Sequence, residues 1–242
     1  MIELSGLTKR YGRIMAVDNL NLKVEEGEVF GFIGPNGAGK TTTIRMMGGL
    51  IAPTSGSVVI NGIDMLKDPE QGKQDIGFIP DRPYLYGKLT GMEFLRFTAD
   101  LYGMNNNGFF DKAESILRTF SLWDWAGELI DSYSHGMRQR LIMSAALIHD
   151  PKVLIVDEPM VGLDPRAIRL VKDMIKRLAR EGMTVFVSTH TLEVAQDICH
   201  RVGVIHKGKV IATGTTKDLV EQARVDREDL EAVFLRLTEE AS

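Results

Sequence analysis

A single cysteine, Cys199, excludes an intrachain disulfide framework and fits a reducing compartment. The residue itself reads as a small buried apolar side chain. Long apolar runs are missing too. The longest stretch without a formal charge, residues 46–63, contains Pro53, Asn61 and the pair Gly48-Gly49, which makes it too short and too polar to span a bilayer. The opening residues, MIELSGLTKRYG, have no apolar core followed by a small-residue cleavage site, so nothing marks the chain for export and a cytoplasmic protein is expected. Positive charge is not in excess either. With 29 Lys and Arg against 33 Asp and Glu the net charge is −4, which argues against the basic footprint of a nucleic-acid partner. The whole of that −4 falls between Lys217 and Ser242, leaving the first 216 residues balanced. No repeat or low-complexity tract is present.

What is present is a chain long enough to bury a full core, with 44% hydrophobic residues. Residues 2–7 and the alternation Leu20, Leu22, Val24 predict β-strands, and residues 28–33 predict a buried strand with no polar face. Residues 58–60 followed by Asn61-Gly62 predict a strand ending in a tight hairpin turn. The middle of the chain turns helical: Thr90 can cap a helix from Gly91 to about Gly103, and Ala113, Ile116, Leu117 and Phe120 repeat at helical spacing after Asp111. From Val153 strands and helices alternate again, with a strand over 153–156 and a helix presenting Ile168, Val171, Ile175 and Leu178. A strand over 184–188, a helix from Thr191 and a strand over 202–206 follow. This order implies βαβ units, a largely parallel sheet, and a helical insert between two halves of one α/β domain.

Two motifs carry chemistry. Gly34-Pro35-Asn36-Gly37-Ala38-Gly39-Lys40-Thr41 fits the phosphate-loop pattern G-x-x-x-x-G-K-S/T and sits between a buried strand and a helical run. The glycines let successive backbone N–H groups turn inward, and the following helix adds its positive end to the anion site. Lys40 supplies a point charge to the β and γ phosphates, and Thr41 offers a hydroxyl to Mg²⁺. The second motif, Val153-Leu154-Ile155-Val156-Asp157-Glu158, ends an apolar strand in two acids. Asp157 is placed to hold Mg²⁺ through its water shell, and Glu158 is the natural general base.

With these residues in view the sequence resembles the ATP-binding subunits of ABC transporters over nearly its whole length, with several motifs in that family's order. Tyr11 matches the aromatic residue that stacks on adenine, ahead of the phosphate loop and Thr42. Ser134-His135-Gly136-Met137 occupies the place of the signature sequence. Gly162-Leu163-Asp164 resembles the D-loop, and His190 is similar to the switch histidine. Asp81, after Ile79-Pro80, stands where the family has the glutamine of its Q-loop, and a carboxylate there can still hold Mg²⁺ or its water. The signature also departs from the usual form, with Tyr133 before the serine and His135 and Met137 within it. His135 either adds a pH-dependent charge or points to solvent, the second being the favoured reading.

The resemblance implies a P-loop NTPase sheet core with an N-terminal antiparallel β subdomain and an inserted α-helical subdomain. The expected divisions are 1–82, 83–150, 151–216 and a helical tail over 217–242. It implies ATP and Mg²⁺ as cofactors, and catalysis by Lys40, Glu158 and His190. ATP would be held by Tyr11, by the phosphate loop with Thr42, by Asp81, and across a subunit boundary by Ser134 and Gly136. Metal would be held by Thr41, Asp157 and Asp81. The implied partners are a membrane permease and a second ATP-binding subunit, identical or related, with no nucleic acid expected. The implied place is the cytoplasmic face of the cell membrane. The departures, and a tail with Leu230, Val233, Phe234 and Leu237 at helical spacing, resemble the branch serving bacterial drug, antibiotic, sodium, lipid or polysaccharide exporters. That tail can pack on its own domain or on a partner. The competing reading is an ABC-type ATPase that acts on a non-membrane partner; substrate identity lies with the permease.

Overall fold

The computed structural model describes residues 1–81, 84–105, 107–160, 162–223 and 230–240. The expected division at 82/83 falls outside these residues, as do Arg224, Asp226, Arg227, Glu228 and Asp229 of the acidic tail.

Two sheets share the molecule. In the first, β1 (Ile2–Tyr11) lies between β2 (Ile14–Val24) and β4 (Ser55–Ile60), all antiparallel. The short β5 (Ile63–Asp64) folds back on β4 through Asn61 and Gly62, both at positive φ, as the hairpin signal requires. The second sheet runs in the order β10 (Lys209–Gly214), β9 (Arg201–His206), β3 (Val29–Ile33), β8 (Thr184–Thr189), β7 (Val153–Asp157), β6 (Ile76–Ile79). Every pairing from β9 to β6 is parallel, and β10 turns back antiparallel on β9. The expected largely parallel sheet is therefore found, with a separate antiparallel layer at the N-terminal end of the sequence.

The helices follow from local signals. α1 (Lys40–Met47) starts at the phosphate loop, and α2 (Pro69–Gln74) has Asp68 at its N-cap and Pro69 in its first turn. α3 (Gly91–Leu101) opens on a full capping box between Thr90 and Glu93. α4 (Phe109–Thr119) starts two residues earlier than expected, before Asp111, because Phe109 is buried and belongs to the helix. α5 (His135–Leu147) is capped by Ser134 and α6 (Pro165–Arg180) by Asp164. α7 (Leu192–Ile198), α8 (Thr216–Ala223) and α9 (Leu230–Glu240) complete the chain. The buried stripe of α6 is rotated from the expected one: Ala167, Val171, Met174, Ile175 and Ala179 are buried, while Ile168 and Leu178 are half-buried. Val171 and Ile175 are fully buried at the centre of that face.

The parallel sheet separates two packed layers. Val29, Leu154, Val156, Val185 and Val187 face the helical insert, whose Phe94, Leu95, Leu117 and Leu141 join the same core. Phe30, Phe32, Ile155 and Phe186 face α1 and the antiparallel sheet. The tail helix buries Leu230, Val233 and Leu237 against Ala195, Val204 and Leu219, so it packs on its own domain. Cys199 lies against Gly31, and burial pushes its thiol up to about 12, in keeping with an inert packing role.

Candidate functional site

Register explains why the motifs meet. Ile33 of β3 pairs with Thr189 of β8, and Ser188 of β8 pairs with Asp157 of β7. The segments that follow these three strands therefore leave from one carboxyl edge, where open α/β sheets bind ligands. Asn36, Gly37, Gly39, Lys40, Thr41, Thr42, Asp81, Asp157 and Glu158 line one cleft of about 220 Å³ there, together with Ala16. Ala16 carries no sequence signal; it enters because β2 crosses the loop, and a Cβ placed on Gly39 would lie 2.5 Å from the Ala16 carbonyl oxygen.

The phosphate loop is held by its own lysine. Lys40 Nζ donates to the carbonyls of Gly34 at 2.6 Å and Pro35 at 3.1 Å, and Ala38 N–H donates to Pro35 O at 3.2 Å. Gly37 and Gly39 have φ of 79° and 113°, conformations that side chains disfavour. Gly39, the N-cap of α1, makes no side-chain cap bond, so the first N–H groups of α1 have no capping side chain and are available to an anion. Burial lowers the Lys40 pKa, and the Glu158 and Asp157 carboxylates oppose that shift.

Thr41 Oγ1 donates to Asp157 Oδ2 at 3.1 Å, joining the two motifs across 116 positions of sequence. Asp157 is 3% exposed, and burial raises its carboxyl pKa; the Thr41 hydroxyl pulls the other way, while Glu158 and Asp81 add to the rise. Glu158 adopts φ 54°, rare for a residue with a side chain and characteristic of strained functional positions. Its backbone N–H donates to Ser188 O at 2.9 Å. Its carboxylate accepts from the His190 backbone N–H at 3.1 Å, from the His190 ring Nδ1 at 2.8 Å and from the Thr189 hydroxyl at 3.2 Å. An ionised carboxylate can only accept, so His190 carries its proton on Nδ1.

The donor set suits a small hard cation. Among the described residues no group of three or more His, Cys, Asp or Glu forms a metal cage. Thr41 and Asp157 instead supply two adjacent oxygens, with Asp81 on the same cleft, which is the partial set Mg²⁺ uses when phosphates and water complete its shell.

Other expected residues lie outside the cleft lining. Tyr11 ends β1, is 47% exposed, and carries Lys9 Nζ 5.2 Å from its ring centroid; it belongs to the hairpin that leads to Ala16. Ser134 accepts from Met137 N–H at 3.3 Å as the cap of α5, and Gly136 lies in the first turn, where a Cβ would touch only Leu163, at 4.0 Å. His135 is exposed yet rests against Gly162, where a Cβ would come 2.4 Å from its Nε2. That contact joins the signature segment to the D-loop segment, whose Asp164 caps α6 through bonds from Arg166 and Ala167 N–H at 2.9 Å.

A family model described as "ABC transporter" covers residues 17–161. The chain belongs to the ABC transporter family. A curated relative, the probable multidrug ABC transporter ATP-binding protein YbhF of Escherichia coli K12, is 37% identical over 98% of this chain, which spans 41% of YbhF's length. A solved structure of an ATP-binding subunit of an ABC transporter is 32% identical, superposes with a TM-score of 0.92, and is matched over 98% of this chain and 99% of its own. A dimeric, post-hydrolysis structure of the cassette MJ0796 with ADP and phosphate is 28% identical, with a TM-score of 0.81 over 89% of this chain and 98% of its own. The fold is thus that of an ABC ATPase cassette, a P-loop NTPase. Among the described residues of this cassette no helix is long and apolar enough to cross a membrane. One residue at the site, Thr189, escapes sequence reasoning because a β-branched residue ending a strand is ordinary there; only its bond to Glu158 distinguishes it.

Proposed function

We propose that this cassette is the ATP-hydrolysing subunit of an ABC transporter, which binds ATP and Mg²⁺ at the cleft and, paired with a second cassette, drives export through a separate membrane permease. The observation that carries this reading is the Thr41–Asp157 bond with Glu158 clamped beside it at the mouth of the phosphate loop. Backbone N–H groups of Gly37 and of Gly39 to Thr41 would bind the phosphates, and Lys40, released from the Gly34 and Pro35 carbonyls, would pair with the β and γ groups. Thr41, Asp157 and Asp81 would hold Mg²⁺, which when bound neutralises charge on the β and γ oxygens. Glu158 would accept a proton from the attacking water, and His190, fixed by its Nδ1–H bond, would present Nε2 toward the γ-phosphate. Tyr11 would stack on adenine from the β1–β2 hairpin.

Two half-sites follow from the placement of Ser134 and Gly136 outside this cleft: they would close on the nucleotide of a second copy or a related chain, with the positive end of α5 toward the γ-phosphate. The dimeric MJ0796 cassette supports such pairing. Contact with the permease is assigned to the groove between the Asp81 loop and the helical insert, lined by Pro80, Tyr84, Phe94 and Tyr102. Tyr84, Tyr86 and Phe97 form an exposed ladder of edge-on rings beside it, an apolar surface that suits a protein partner. The export direction rests on the multidrug relative, and the place of work on the inner membrane face follows from the permease.

Glu158→Gln tests the core of this reading. Steady-state ATP turnover should fall roughly 10²–10⁴-fold, as for loss of a general base, while ATP binding persists. Wild-type turnover in that variant would sink the assignment.

A further inference from the structure

Hydrogen bonds divide the two oxygens of Glu158 unequally. Oε1 accepts two, from the His190 backbone N–H and from its ring. Oε2 accepts one, from the Thr189 hydroxyl at 3.2 Å. The direction of that last bond is fixed by another: Thr189 Oγ1 accepts the Thr191 backbone N–H at 3.0 Å, so its single proton remains to be donated, and Glu158 is the acceptor within reach.

The two clamps also differ in rigidity. The His190 side chain is 59% exposed. Thr189 is 2% exposed, ends β8 and is locked in register opposite Ile33. A terminal carboxylate torsion is broad and roughly two-fold, so a carboxylate held through one oxygen alone is poorly oriented. Each carboxylate oxygen has about two acceptor sites; among the described residues those of Oε1 are filled, and Oε2 has a single donor.

We propose that Thr189 is a positioning residue for the hydrolytic reaction: its buried hydroxyl pins Oε2 of Glu158 as the oxygen that receives the proton of the attacking water. The inference rests on the reading of Glu158 as the general base. The hydroxyl is what matters and the methyl group is incidental. Serine should therefore replace Thr189, and valine, of the same shape but without a donor, should not.

The test compares the full chain with its Thr189→Val, Thr189→Ser, Glu158→Gln and Thr189→Val/Glu158→Gln variants, each checked for an unchanged melting temperature. Steady-state ATP hydrolysis and binding of a non-hydrolysable ATP analogue are measured. Thr189→Val should lower kcat roughly 10–100-fold, the worth of a hydrogen bond to a charged group, with KM and analogue binding within about twofold. Thr189→Ser should restore kcat to within about threefold, and Thr189→Val should leave the residual turnover of Glu158→Gln unchanged. The proposal is overturned by a wild-type kcat in Thr189→Val or by analogue binding that weakens in step with kcat. It is equally overturned by a serine variant as slow as valine, or by the same fold-loss in the Glu158→Gln background. Wild-type turnover in Glu158→Gln removes the base assignment and this inference together, whereas a slow Glu158→Gln beside an unaffected Thr189→Val removes only the role of Thr189.

Discussion

Gly39 and Gly37 stand two positions apart in one loop and are required for different reasons. A side chain on Gly37 meets nothing within 4 Å, so its only cost is the left-handed backbone at φ 79°, worth about 1–2 kcal/mol. A side chain on Gly39 would meet the Ala16 carbonyl at 2.5 Å, and a backbone atom inside a paired strand cannot rotate aside. Gly39→Ala is therefore expected to displace the loop from β2 and to weaken ATP binding more than tenfold, whereas Gly37→Ala should act mainly on stability. Titration with a fluorescent ATP analogue alongside thermal unfolding distinguishes the two. Similar binding losses in both variants would contradict the role of the Ala16 contact.

Among the elements, the junction of the insert with the sheet is built around an unusual imidazole. His149 follows α5, stacks on Tyr102 of the α3 end with ring centroids 3.5 Å apart, and bonds through Nε2 to the Ile76 carbonyl of β6 at 3.1 Å. A carbonyl only accepts, so Nε2 carries the proton, and Nδ1 is buried with no partner among the described residues. Burial lowers the His149 pKa, Lys112 lowers it further, and the Ile76 carbonyl with Asp150 and Asp75 opposes the shift. Because the unfolded chain takes up the proton near 6.5 and the folded chain resists it, stability should be flat above that pH and fall below it until the folded value is reached. The melting temperature of the wild type should thus drop more between pH 7 and pH 5 than that of His149→Gln, which keeps a donor for Ile76 but does not titrate. Parallel profiles would show that the imidazole is not the source.

Over the whole molecule, the charge imbalance acquires a location. The −4 belongs to a tail whose α9 packs on α7 and α8 and shares an apolar cluster with Val204 of β9 and Ala212 of β10. On the proposed function, work at a membrane would depend on two surfaces: the α5 terminus for a second cassette and the aromatic groove for a permease. Glu158→Gln with ATP and Mg²⁺ is expected to form a dimer in sedimentation experiments. Adding Ser134→Glu, which sets a carboxylate where phosphate is expected, should return it to monomer while ATP binding to the single chain persists. A dimer that survives Ser134→Glu would place the interface elsewhere.

Sequence by itself determined the parts that depend on short-range physics. The strand–loop–helix of residues 29–47, the Asn61-Gly62 hairpin, the Thr90 cap and the acidic end of β7 all rest on residues within a turn or two of each other. It was poorer where burial decides: the buried face of α6 includes Ala167 and Ala179, weak apolar signals, while Ile168 and Leu178 are only half-buried. β6 was not read as a strand because four residues acquire that identity only by pairing with β7. Tertiary structure alone decided the order β3, β8, β7, and with it the Thr41–Asp157 bond, the entry of Ala16 into the cleft and the clamp of Thr189 and His190 on Glu158. These contacts join residues far apart in sequence, and such pairs are fixed by how whole layers pack, a cooperative outcome that no local pattern encodes.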